Sequence, residues 1–291
     1  MSKEAPQRIF RHRGYTRSDL DEHSKVERFR SELKEAKLGK VWFSQVSAQN
    51  DPFDTNPAYE ESSLREVKSF MEEFRRIAGA RASFYDPDFV TTAVNRGYKK
   101  SQAKRHLRNY KQTRRSVRQV FEQHQGESLV CCFTEDPHNI LMWSYYSCSH
   151  ASFNYEFSLQ RDKLETGKSV IADVRYVTER PRLTTIDMLR RMAQVNHPKD
   201  YVESLQDQRR IDDATLLCKS SHWEHEKEWR SLRTPQSKPG YYSISPYKLT
   251  GVTFGCRAQP ELVSFVKSQL SGEVEFRFLE LSGSTYELRY S

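Results

Sequence analysis

Long apolar runs are missing from this sequence. The longest are short stretches such as Ser128 to Phe133, far below the roughly 20 apolar residues that a membrane-spanning helix requires. A helical membrane protein is therefore excluded, and no membrane partner is expected. Met1 to Phe10 carries no apolar core of a secretory signal, so a cytoplasmic location is expected. Cysteine is sparse. Cys131, Cys132, Cys148, Cys218 and Cys256 are odd in number and are not spaced as a disulfide framework. No Cys-x-x-Cys or His-x-x-x-His pair stands at zinc spacing, so the five read as reduced thiols and no metal is expected. His222 and His225, set among Glu224, Glu226 and Glu228, come nearest to a ligand cluster. With no second cluster beside them they read as surface charge. The P-loop and the GxGxxG, HExxH and GxSxG patterns are also absent, and the chemistries they announce are not signalled.

What is present is charge and aromatic bulk. Aromatics make up 12% of 291 residues and mean hydropathy is −0.84. Such a chain has a large charged surface and enough bulky groups to bury a core, unlike a disordered one. With no internal repeat, low-complexity linker or clear boundary, residues 1–291 read as a single domain. The net charge of +8 is uneven: Lys99 to Arg118 holds nine Lys or Arg and no acid, so the remaining residues sum to −1. Lys100, Lys104, Arg108, Lys111, Arg115 and Arg118 recur every three or four positions, which on a helix makes one stripe. Leu107, Tyr110, Val117, Val120 and Phe121 form a second, apolar one. Like charges at that spacing weaken a helix. An anionic partner is one reading, with nucleic acid as first candidate, then another polyanion or an acidic inhibitor or antitoxin protein. A solvated helix face is the other.

Periodicity predicts helices and strands in unequal halves. Lys25 to Leu38 places Val26, Phe29, Leu33 and Leu38 on one helical face, and Gly39 ends it. Ser63 and Glu66 make a capping box for a helix over 63–78, and Asp86-Pro87 opens the basic helical segment of about 86–126. Strands are expected at Ile9–Arg13, Val41–Ser44, Leu129–Thr134, Phe153–Leu159, Val170–Tyr176, Glu226–Leu232, Tyr241–Ile244, Val252–Phe254 and Val274–Phe278. Helical stretches are expected at Asn139–Tyr146, Thr185–Leu217 and Pro260–Leu270. The fold class is α+β, a mostly antiparallel central sheet assembly with a helical layer contributed by the first half.

The motif order VWFS…NDPFD, CFTED…NILMWSYYS…H, KSSHWEHEKEWR and VTFG resembles a bacterial family catalogued as domain of unknown function 2971, from about Ile9 to Gly255. Ser152 departs from it, standing where the family carries Gly, and the Lys99–Arg118 segment is not part of its pattern. More distantly, the opening strand and the Glu226-x-Glu228 pair resemble the ADP-ribosyltransferase superfamily. That resemblance implies an ADP-ribosyltransferase-like fold and NAD⁺ as substrate, split at the nicotinamide–ribose bond. Arg11 or His12 would then stand for the first-strand residue, Ser44 for the later serine, and Glu226 and Glu228 for the late carboxylates. A cation or imidazole holds a phosphate or ribose. One carboxylate stabilises the oxocarbenium ion and a second positions or deprotonates the acceptor. The implied target is a macromolecule, nucleic acid if the basic stripe holds it, in a toxin or phage-defence setting.

Each of these residues has a plainer reading as well. Ser44 can be core strand, and Glu226 and Glu228 can be solvated beside Lys227 and Arg230. Trp42, Trp143 and Trp229 read as core, though any one can stack on a nicotinamide or base. Asn50, Asp51 and Asp54 cap a turn, in a loop where sites also occur. His150 is a satisfied structural histidine or part of a site, and Glu135 and Asp136 stand at a strand end where a cleft can form. Two rival functions remain open. One is a nuclease using Asp51, Asp54, Glu226 and Glu228 with a divalent metal, and the other is a non-catalytic nucleic-acid-binding sensor module.

Overall fold

The computed structural model describes residues 4–63, 65–67, 69, 70, 73, 119, 122, 128–161, 171–196, 214–233, 238–270, 272 and 274–291. The expected basic segment with its six-residue stripe, and most of the helix expected over 63–78, lie outside the described residues. The capping box of that helix is seen: Ser63 N donates to Glu66 Oε2 at 2.7 Å and Glu66 N to Ser63 Oγ at 3.2 Å. The chain divides into two compact units. Met1–Ala48, Ser128–Tyr176 and Ser221–Ser291 form the first, and Gln49–Glu127 with Val177–Ser220 the second. Among the described residues no helix is long and apolar enough to cross a membrane.

The first unit holds a ten-stranded sheet: β1 (Arg8–Arg13), β2 (Lys40–Gln45), β3 (Leu129–Thr134), β4 (Phe153–Leu159), β5 (Ala172–Asp173), β6 (Glu228–Arg233), β7 (Gly240–Ser243), β8 (Tyr247–Phe254), β9 (Glu275–Leu281) and β10 (Leu288–Tyr290). The order is β7-β2-β3-β1-β4-β8-β9-β10. β6 lies along β3 and carries β5 on its far side. Every pairing is antiparallel except β8 with β9, whose parallel register is reached through α3 (Pro260–Gln269). The expected α+β class with a mostly antiparallel sheet is therefore found. β3 has an unusual neighbourhood: β2 pairs with its first residues, Leu129 and Val130, and β1 with its last, Thr134.

Alternation along the strands sorts the sheet into two faces. Ile9, Phe153, Tyr155, Phe157, Val252 and Phe254 turn one way, onto Phe29, Leu33 and Ala36 of α1 (His23–Lys37) and Leu262 and Val266 of α3. Phe29, Leu33 and Ala36 repeat at i, i+4 and i+7, the spacing of a buried helical stripe, and Phe29 stacks on Tyr15 with centroids 3.9 Å apart. Gly39, at φ +69°, ends α1 by donating its N–H to Ala36 O, a left-handed turn that glycine adopts without strain. The other face carries Phe10, His12, Thr134, Asn154, Glu156, Thr253, Glu228 and Arg230, brought level by the register. Apart from Phe10 these residues are polar, and they are nevertheless buried.

Two sequence expectations are corrected. The strand expected over Val170–Tyr176 is, among the described residues, two short strands, Ala172–Asp173 and Arg175–Val177, parted at Val174, whose N–H donates to Glu228 O at 3.0 Å. The strand expected from Glu226 begins at Glu228 instead. Ser221–Glu226 is a 3₁₀ turn, and Lys227 sits at φ 45°. The second unit has a parallel pair, Ala58–Glu60 with Arg182–Thr184, followed by the helix Thr185–Asn196. Thr184 and Asp187 cap that helix reciprocally, through N–H bonds of 2.7 and 3.3 Å.

Candidate functional site

The site is assembled by the short helix α2 (Ile140–Tyr146) on the polar face of the first unit's sheet. Asn139 starts it by accepting from Leu141 N at 2.9 Å and Met142 N at 3.2 Å, satisfying amides that the first turn leaves open. Its amide Nδ2 donates to His225 O at 2.6 Å. One side chain thus fixes both the helix and the turn that delivers Glu226. Trp143 is fully buried, with Nε1 donating to Pro137 O at 2.7 Å. The chain leaves α2 through Cys148, Ser149 and His150, at φ 48°, 54° and 69°. Three successive non-glycine residues in the left-handed region store strain. The turn is held by Gly255: a Cβ there would stand 2.2 Å from His150 O, so only glycine permits this approach.

His12 projects from β1 against α2. Its ring meets Trp143 edge to face, centroids 4.8 Å apart, and Nδ1 lies 2.8 Å from Ser147 Oγ. Nε2 is buried and has no hydrogen-bond partner among the described residues. Burial drives the imidazole pKa down to about 3, against a smaller upward pull from Asp136, so the ring is neutral at ordinary pH. Tyr146, on the same helix, donates its OH to Glu226 Oε1 at 2.8 Å. Glu226 is only 3% exposed. A neutral imidazole packed on α2, and a phenol of α2 bonded to a buried carboxylate, are groups that can bind hydroxyls, stabilise a cation and accept a proton.

Glu228 is placed differently. Arg230 Nε and Nη2 donate to its two oxygens at 2.7 and 2.9 Å, with both residues buried. Its backbone N–H donates to Tyr176 OH at 2.7 Å. Neither glutamate is a solvated strand residue, so the surface-charge reading is corrected for both: the 3₁₀ turn and the fork from Arg230 take them inside. Arg11 and His12 point to opposite faces. Arg11 turns toward the α1 side, where its Nη1 meets Cys131 Sγ. Burial first, and Arg13 second, lower its pKa to about 10. His12 shares the face of Glu228, two strands and two residues away, roughly 12 Å by strand geometry.

Ser44 pairs with Val130, and Val130 with Leu232. It shares the Glu228 face but stands roughly 16 Å away, two strands across and four residues along. Trp42 lies on that same face of β2, edge-on to Tyr241 at 5.2 Å. His150 Nε2 is 3.0 Å from Ser144 Oγ, and burial and nearby Arg257 lower its pKa. Asn50, Asp51 and Asp54 belong to the second unit, where Asp54 is buried 3.7 Å from Lys219. Among the described residues no three His, Cys, Asp or Glu side chains gather as metal ligands. α2 and the turn after it thus touch His12 through Trp143 and Ser147, touch Glu226 through Tyr146, and hold His150 through Ser144. Ser44, Trp42 and Arg11 stand apart from that group within the same unit.

Sequence reasoning missed Tyr146, Ser147, Asn154 and Arg230. Asn154 and Glu156 alternate with Phe153, Tyr155 and Phe157, which reads as a solvent face, whereas both are buried. That burial was the missing signal.

The profile of a protein family of unknown function, DUF2971, matches residues 142–231. This is narrower than the motif span from Ile9 to Gly255, and it takes in Trp143, His150, Glu226, Glu228 and Arg230. No curated protein and no solved structure matches the chain.

Proposed function

We propose that this chain is an NAD⁺-using ADP-ribosyltransferase-like enzyme whose reacting groups are His12, Tyr146 and Glu226. The observation that carries the reading is the hydrogen bond from Tyr146 to buried Glu226, made from the same short helix whose Trp143 packs on a first-strand imidazole that burial keeps neutral with one ring nitrogen uncommitted. In this reading His12 Nε2 meets a hydroxyl of the nicotinamide ribose. The C1′–N bond breaks, its electron pair leaves with nicotinamide, and the positive charge on the ribose is stabilised by the Glu226 carboxylate. The acceptor oxygen or nitrogen then bonds to C1′, and its proton passes to Glu226. Glu228, held by Arg230, positions the β6 end rather than reacting. The target is a macromolecule. The basic stripe Lys100–Arg118 favours nucleic acid, and such a modification suits a toxin or phage-defence effector.

The test is to incubate the full chain with NAD⁺ and total nucleic acid in a metal chelator and to follow free nicotinamide. The proposal expects nicotinamide release that the chelator leaves unchanged. Nucleic-acid cleavage abolished by the chelator, with NAD⁺ intact, would select the nuclease reading instead.

A further inference from the structure

Asn154 stands on β4 between His12 of β1 and Thr253 of β8, its direct cross-strand partners. Such partners share a face, with Cβ atoms roughly 4.5–5.5 Å apart. Asn154 is fully buried, yet neither Oδ1 nor Nδ2 has a hydrogen-bond partner among the described residues, and the same holds for His12 Nε2 next to it. The Thr253 hydroxyl comes close to that of Tyr290 but outside hydrogen-bonding geometry. Buried amides are almost always satisfied, because an unmet donor or acceptor costs its full desolvation. An apolar residue of this size would serve packing better. A buried amide with both functions uncommitted, flanked by an equally uncommitted imidazole nitrogen, is the arrangement of a ligand reader.

We infer that Asn154 is a specificity-determining residue that binds a planar primary carboxamide. Its Oδ1 accepts from the ligand amide N–H and its Nδ2 donates to the ligand carbonyl. The inference rests on the proposed function, in which that ligand group is the nicotinamide amide of NAD⁺. The reciprocal pair rejects a carboxylate, since Oδ1 would then face a second acceptor. Trp143 and Ser147 lie against His12 at one end of the row and Asn154 is fully buried, so a ligand enters only when that cover opens, and slow association is expected.

The experiment titrates free nicotinamide and nicotinic acid into the full chain and into Asn154→Leu and Asn154→Asp, with thermal melting of each. Nicotinamide is expected to bind the parent chain and nicotinic acid not. Asn154→Leu is expected to lose nicotinamide binding by about ten- to a hundredfold, the worth of two hydrogen bonds. It should also melt higher than the parent, because unmet polar groups are removed. Should Asn154→Leu fail to fold, Asn154→Asp decides, by weakened nicotinamide binding in a folded chain. No nicotinamide binding by the parent, or equal binding by a folded variant, overturns the inference. NAD⁺ consumption, followed in parallel, separates the two claims. Nicotinamide binding lost in the variants with no NAD⁺ consumption by the parent keeps the carboxamide reader and removes the transferase. NAD⁺ consumption unchanged by Asn154→Leu does the reverse.

Discussion

His12 ties stability to pH in a direction that can be worked out. Its folded pKa of about 3 lies below the ordinary value of 6.5. Above pH 6.5 both states are neutral and the full stability is present. As pH falls the unfolded chain takes the proton first, and stability is lost down to about pH 3. At about 1.4 kcal/mol per unit the loss attributable to this ring is on the order of 5 kcal/mol. Urea unfolding at pH 7 and pH 4.5 should therefore show a marked drop for the parent chain. The drop should be smaller in His12→Asn, which has no proton to gain. Equal drops would place the acid sensitivity elsewhere. Gly255 is a position where the backbone permits only glycine. A methyl group there meets His150 O at 2.2 Å, so Gly255→Ala should cost about 1–3 kcal/mol as overpacking, read as a lower melting temperature.

Element by element, α2 is the piece on which both stability and the proposed site depend. Seven residues are too few for a helix to hold itself in water. Its cap is correspondingly important: Asn139→Ala removes two accepted amide bonds and the link to His225 O. About 1–2 kcal/mol of stability should go, and NAD⁺ turnover should fall further than Tm suggests, because Glu226 follows His225 directly. The strands and long helices were legible because their periods are strong. Phe29, Leu33 and Ala36 announce α1, and Phe153, Tyr155 and Phe157 announce β4. The site was legible only in part. Glu226 and His12 carry their residue types in the sequence, but the choice between Arg11 and His12 depends on which face of β1 turns to α2. The bond from Tyr146 to Glu226 spans 80 positions. Burial of Asn154, Glu156 and Glu228 is set by what covers the second sheet face, and local alternation does not encode that.

For the whole molecule, charge and catalysis are separate claims with separate tests. If the basic stripe contacts four to six phosphates, a fourfold rise in salt should weaken nucleic-acid binding by about fifty-fold to a thousand-fold. Reversing Lys104, Arg108 and Lys111 to Glu should abolish it with melting unchanged, and salt-insensitive binding would remove nucleic acid as the partner. Catalysis is tested most directly by nicotinamide release from NAD⁺ in the parent chain, Glu226→Gln and Glu228→Gln, each with a melting curve. Glu226→Gln should fall by about a hundredfold or more, the usual loss with a reacting carboxylate, and melt near the parent. Glu228→Gln should melt below it, because the carboxylate that accepts two bonds from buried Arg230 loses its charge. Nicotinamide released at the parent's rate by Glu226→Gln, or not released by the parent chain at all, would contradict the account.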